Sequence, residues 1–184
     1  MPSRLVSFVL VLLTFSFLSA CATNPQEDYG RRTLGTQLDD ELIESKAEAQ
    51  IAASDARFAE AHIVSVSYNN ILLLVGQVPT QALKVKAGDI ASKVRKVRLV
   101  HNELQVAGAS SLMARANDSW VTSKVKTQLG VDSRIDSRRI KVVTEAGVVY
   151  MMGLLTRTEA DIAVDAARRV LGVQKIVKVF EYLD

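Results

Sequence analysis

The sequence predicts an α+β protein built as two tandem units, each ordered helix, strand, strand, helix, strand, with a three-stranded mixed sheet covered by two helices. Three observations predict it. Residue patterns recur at a nearly constant offset: Ser45-Lys46 returns as Ser123-Lys124, 78 residues on; Ile63 and Gly76 return as Ile140 and Gly153, 77 on; Val97, Val100 and Leu104 return as Val173, Ile176 and Phe180, 76 on. Each copy holds two β-rich runs about a turn, Asn69-Asn70 in one and Ala146-Gly147 in the other. Flanking these runs, apolar residues fall at helical spacing. A strand–helix–strand return is parallel through a right-handed crossover, whereas the hairpin is antiparallel, so each sheet is mixed.

Taken in order, the chain opens with Arg4 and an uncharged run, residues 5–20, that ends Leu18-Ser19-Ala20-Cys21. A spanning helix needs about 20 apolar residues; a basic start, a shorter apolar core and small residues before a cut make a secretory signal instead. The small residues directly before Cys21 resemble the bacterial lipobox. That resemblance implies a diacylglycerol on the Cys21 thiol, cleavage before it and acylation of the new amine. Residues 1–20 are then a lipoprotein signal peptide and 21–38 a lipidated N-terminus and flexible tether. Ala22, where the lipoprotein sorting rule would put Asp for inner-membrane retention, favours the outer membrane. Cys21 is the only cysteine, so no internal disulfide forms. Pro25, Gly30 and Gly35 break any apolar period in residues 22–38, and a coil of that length spans about 23 Å.

The first unit is expected at 39–106. Ile43, Ala47 and Ile51 share one helical face, with Asp39 and Asp40 as candidate caps. Residues 62–68 and 71–75 form the hairpin; Leu83, Ala87, Ile90, Ala91 and Val94 line a second helix; residues 97–106 close the sheet as one strand. After a small-residue linker, 107–117, the second unit runs 118–184. Thr156 and Glu159 make a capping box, the second helix buries Ala160, Val164, Ala167 and Leu171, and Gly172 stops it. Residues 71–75 and 148–152 are apolar without alternation, so the sheet face away from the helices also needs cover. Edge and terminal segments would supply it, or else the two copies, or a partner protein, would pack there.

With these elements placed, ILLLVGQV with VRLVHNEL, and VVYMMGLL with VQKIVKVF, resemble the BON domain, a family named after bacterial osmotically inducible and nodulation proteins. Lys178 stands where the first copy has Asn102, a departure from the family's strand pattern. Lipobox, tether and two copies in order resemble the dual BON-domain outer-membrane lipoproteins. The resemblance implies a role in outer-membrane integrity, with anionic phospholipid bound through the first helix of the second domain.

Composition narrows the chemistry. Without residues 1–20 the net charge falls from +3 to +2, too mild to imply nucleic acid. His62 and His101 have no nearby nucleophile motif, and no cluster has metal-ligand spacing or a phosphate-cradling glycine loop. The expectation is therefore a non-enzyme with no cofactor, no metal and no small-molecule substrate. The basic run 93–98 spans a helix end, where cations meet the dipole, and reads as a solvated patch rather than a headgroup site. Residues 38–106 hold 8 basic and 9 acidic groups, residues 118–184 hold 11 and 9. In the first helices the contrast is sharper: residues 39–50 carry five acids and one lysine, whereas 119–129 carry Lys124 and Lys126 and no acid. Each cation near an anionic membrane contributes about 1 kcal/mol.

Trp120, the only tryptophan, lies off the stripe of Val121, Val125 and Leu129, beside Lys124 and Thr127. It meets a membrane interface, where such rings settle, or covers a domain junction, as Leu42 occupies the matching place. The expected phospholipid contacts are Trp120, Lys124 and Thr127, and the expected partner is an anionic phospholipid membrane. The second reading is an adaptor that supports the outer-membrane protein assembly machinery through its apolar sheet faces. Cys21→Ser tests the anchor, since only a thiol accepts the diacylglycerol: the variant is expected to stay uncleaved or leave the outer-membrane fraction, and normal processing would refute the lipoprotein reading.

Overall fold

The computed structural model describes residues 30–184; the signal segment, Cys21 and residues 22–29 lie outside the described residues. Helix α1, Leu34–Ser54, buries Ile43, Ala47 and Ile51. It starts earlier than the sequence pattern suggests, because Thr33 rather than Asp39 or Asp40 caps it, the Thr33 hydroxyl accepting the Thr36 N–H at 3.1 Å. Asp40 is used elsewhere. It is 1% exposed, and its carboxylate accepts the amides of Asn69 (3.0 Å) and Asn70 (2.8 Å) and the hydroxyl of Ser67 (2.7 Å). These asparagines sit at φ 52° and 65°, the conformation a two-residue hairpin turn requires. Asp118 repeats the arrangement, accepting the amides of Ala146 (2.9 Å) and Gly147 (3.0 Å). Each copy thus fastens its first helix to its hairpin turn through one buried carboxylate.

The hairpin strands β1 (His62–Tyr68) and β2 (Ile71–Val78) pair antiparallel. Helix α2 (Gln81–Ser92) follows, capped by Thr80, and the chain returns parallel to β2. Here the expected single strand is broken into β3 (Leu99–Asn102) and β4 (Gln105–Val106), both paired with β2. The cause is Asn102, whose side chain donates to the Lys84 carbonyl at 2.7 Å and accepts from the Leu104 amide at 3.4 Å. Gly88 makes room, because a Cβ there would lie 2.7 Å from Asn102 Nδ2. In the second copy these positions are Val164 and Lys178, and the strand is continuous.

That copy comprises α3 (Leu112–Gly130), β5 (Ile140–Glu145), β6 (Val148–Leu155), α4 (Arg157–Arg168) and β7 (Lys175–Tyr182), with strand order β5-β6-β7. The Thr156–Glu159 capping box is present. Helix α3 begins inside the stretch read as linker, because Ser111 caps it. Leu171 departs from expectation: α4 stops at Arg168 and Leu171 is 80% exposed at the tip of the following turn, not buried.

Strand alternation is restored once both sheet faces are considered. Leu72, Leu74 and Val78 face the helices of the first domain, and Val149, Met151 and Leu155 those of the second. The intervening residues, Ile71, Leu73 and Val75 with Tyr150 and Met152, join a third buried layer together with Val66, Tyr68 and Val179. The two copies therefore pack sheet to sheet and cover one another. Polar contacts rim the layer: Arg98 to Glu181 at 2.8 Å, Asn69 to Glu181 at 2.6 Å and Gln77 to Glu145 at 2.8 Å.

Residues 30–33 strap the same seam. Arg31 pairs with Asp136 of the second domain at 2.9 Å, while Arg32 pairs with Asp40 at 2.6 Å and stacks 3.9 Å above the Tyr68 ring. Gly30, at φ 76°, lies so close to Arg139 that a Cβ would fall 2.6 Å from its guanidinium. Burial would raise the Asp136 carboxyl, but hydrogen bonds from Arg138 and Arg31 outweigh it and hold it at about 2. A depressed carboxylate stabilises the fold above its unfolded value, and that contribution is lost as pH falls through about 2.

Leu73 is fully buried in the shared layer, so Leu73→Ala is expected to cost about 2–5 kcal/mol. Urea unfolding followed by Trp120, which lies in the other domain, should shift with it. An unmoved Trp120 transition would mean that the sheets unfold independently.

Candidate membrane-contact site

Val121, Val125 and Leu129 are 0, 0 and 1% exposed and press α3 onto its sheet, which turns the opposite face to solvent. On that face Trp120 is 48% exposed, and the Lys124 ammonium lies 3.8 Å above its ring centroid. A cation over an indole face is attracted by the ring quadrupole, by about 0.5–1 kcal/mol at an exposed site. The pair leaves the ring half open and keeps a positive charge directly over it. Thr127 lies one turn on, but its hydroxyl donates to the Ser123 carbonyl at 3.0 Å, so its proton is already committed to the helix. The structure brings these three side chains onto one solvent-facing surface of α3.

Lys124 and Thr127 also border a groove of about 430 Å³, completed by Gln128 and by Arg169, Val170 and Leu171 of the turn after α4. The helical wheel did not reveal this second wall, since it belongs to a separate element. One signal was available: the matching turn of the first copy carries Lys93, Val94 and Arg95, so only the second copy has an apolar residue at the tip.

The acids of α1 have a structural use. Glu44 accepts the Ser67 amide at 2.7 Å and Glu48 the Ser65 amide at 3.2 Å, both on β1, an edge strand of its sheet. Carboxylates one turn apart thus cap the outward amides of an edge that would otherwise invite pairing. In the second copy the place of Glu44 is taken by Thr122, bonded to Thr144 at 2.8 Å, and that of Glu48 by Lys126. The charge contrast between the helices therefore has a source in sheet-edge chemistry, and its consequence is an α3 surface without acids from 119 to 129.

The basic run 93–98 is tied down in part: Lys96 pairs with Asp39 at 2.6 Å and Arg98 with Glu181. His62 lies at the seam, 3.4 Å from the Glu145 carboxylate. Among the described residues, no group of three or more His, Cys, Asp or Glu is placed to hold a metal, and no helix is long and apolar enough to cross a membrane.

The BON domain family profile matches residues 39–108 and 117–184. The chain is 41% identical over 153 residues to a Haemophilus influenzae protein named outer membrane lipoprotein DolP, covering 83% of this chain and 79% of that one. It is 34% identical over 152 residues to a 21 kDa hemolysin of Actinobacillus pleuropneumoniae, covering 83% and 78%. Osmotically-inducible protein Y of Escherichia coli is 30% identical over 152 residues, covering 81% and 75%.

Proposed function

The chain belongs to the BON-domain family as a tandem-domain member of the DolP type, and from that premise we propose that it is an outer-membrane-anchored periplasmic lipoprotein whose second domain binds anionic phospholipid and which helps maintain the integrity of the envelope. Anchoring is assigned to the acylated Cys21. A single chain binds a membrane only marginally, whereas more than one anchors it stably, so the diacylglycerol and the amine-linked acyl group together hold the protein in place.

The observation that carries the phospholipid reading is Trp120 with Lys124 over its ring, on a solvent-facing helix surface that carries no acid from residue 119 to 129. An indole half open to water is unfavourable in solution but suits the headgroup level of a bilayer, where its apolar body and polar N–H are both accommodated. The lysine supplies attraction to anionic lipid at the same point. The ring is open to solvent rather than packed in the shared layer, which favours the membrane reading over a role at the domain junction. Once the anchor holds the chain at the surface, the effective concentration of lipid is high and weak contacts suffice.

The adaptor reading loses the surface first assigned to it, because the apolar sheet faces cover one another. It would now rest on the outer face of α1, where Leu34, Leu38 and Leu42 are 79, 62 and 52% exposed.

Trp120→Glu, made in the chain from residue 21 with Cys21→Ser so that no acyl anchor contributes, separates the readings. Flotation with phosphatidylglycerol-rich vesicles is expected to fall severalfold while the thermal midpoint stays unchanged, the site lying off the buried stripe. Undiminished flotation rejects the membrane role of α3, and a collapse of the fold would assign Trp120 to structure.

A further inference from the structure

The turn after α4 makes the same backbone hydrogen bonds as its counterpart in the first domain, and the two differ in their side chains. Gly172 adopts φ 101°, and a Cβ there would lie 2.8 Å from Val121 Cγ2, so the turn is drawn tightly against α3. Leu171 stands at its tip, 80% exposed, on the same groove as Lys124. The matching residue to Gly172 in the first copy is Lys96, also at positive φ (76°), and it is tied to Asp39. There the tip residue is Arg95. An exposed leucine is common in isolation. This one lines a groove with two cations, Lys124 on the facing helix and Arg169 on its own turn, and Lys124 also covers the half-open indole of Trp120. Asp132, held by Arg134 at 2.6 Å, also feels the charge of Arg169.

We propose that residues 169–172 form the second half of the bilayer contact: Leu171 enters the interface alongside Trp120, and Lys124 and Arg169 flank a groove that seats the phosphate of an anionic lipid. The inference rests on the reading that the second domain meets an anionic bilayer, and it extends the contact from one helix to a helix and a turn. Two apolar side chains from separate elements set the tilt of the domain on the surface, which one ring alone leaves free to rotate. The cations between them complement the headgroup charge, and the groove gives one headgroup a defined place.

The test uses the chain from residue 21 with Cys21→Ser, in which an introduced cysteine is the only thiol. Leu171→Cys carries an environment-sensitive fluorophore, Arg95→Cys carries it at the matching place in the first domain, and Trp120 emission reports separately. With phosphatidylglycerol-rich vesicles, the label at 171 and Trp120 are expected to shift to the blue and to be quenched by bilayer-borne quenchers, while the label at 95 stays aqueous. A blue-shifted Trp120 with an aqueous label at 171 overturns this inference and leaves the reading of α3 standing. No change at either site overturns both, and equal shifts at 95 and 171 overturn the selectivity claimed for the turn. Unlabelled variants guard against effects of the dye. Arg169→Gln is expected to lower vesicle partitioning about fivefold, the effect of one cation at an anionic surface, and Leu171→Ser to lower it severalfold, both with unchanged thermal midpoints. Full partitioning by both variants would overturn the proposal.

Discussion

Two strands, β2 and β6, are apolar on both faces, and a sheet built around such a strand must be covered twice. Helices α1 and α2 cover one face of the first sheet, and α3 and α4 one face of the second. The remaining faces close on each other, through Leu73, Val75, Tyr150, Met152 and their neighbours. Each large side chain buried in this way contributes about 1.5–3 kcal/mol. The helices are thereby pushed to the outside of the molecule on both sides. Trp120 and Lys124 stand on such an outer surface because the sheet behind them is committed to the other domain.

Much of this was legible in sequence. The repeat offsets, the buried stripes of α1 and α3 and the capping box at Thr156 follow from local rules, and the structure carries each of them. The unbroken apolar runs at 71–75 and 148–152 indicated burial on both faces, but pattern alone does not say what lies on the second face, since that is a property of assembly. Asp40 misled for a similar reason: a carboxylate near a helix start suits a cap, yet its partner was a turn some thirty residues away. Leu171 continued the spacing of Ala160, Val164 and Ala167, but the helix ends at Arg168, and past that point periodicity no longer reports a face. Trp120 and Lys124 were readable because they share one helix. Arg169 and Leu171 were not, because they approach Lys124 through tertiary structure.

The two copies have diverged along lines that chemistry explains. In the first, Glu44 and Glu48 seal the edge strand β1, and Gly88 admits Asn102, which breaks the return strand and fastens it to α2. In the second, Thr122 meets Thr144 and the strand through Lys178 runs uninterrupted. An edge sealed by carboxylates leaves a negatively charged helix, whereas the hydroxyl pair of the second copy adds no charge. The electrostatic difference between the domains is thus partly a by-product of how the first protects its sheet edge.

The shared layer also bears on the timing of assembly. Contacts across it join residues far apart in the chain, Asn69 and Glu181 being 112 positions from one another, so closure waits on the whole polypeptide. A chain delivered N-terminus first across a membrane completes its first hairpin before the second exists. For that interval Ile71, Leu73 and Val75 face water on a finished sheet, the kind of surface on which nascent chains aggregate. The N-terminal half is therefore the part of this molecule that most needs shielding by a holding chaperone during export, and that need ends when the second hairpin arrives.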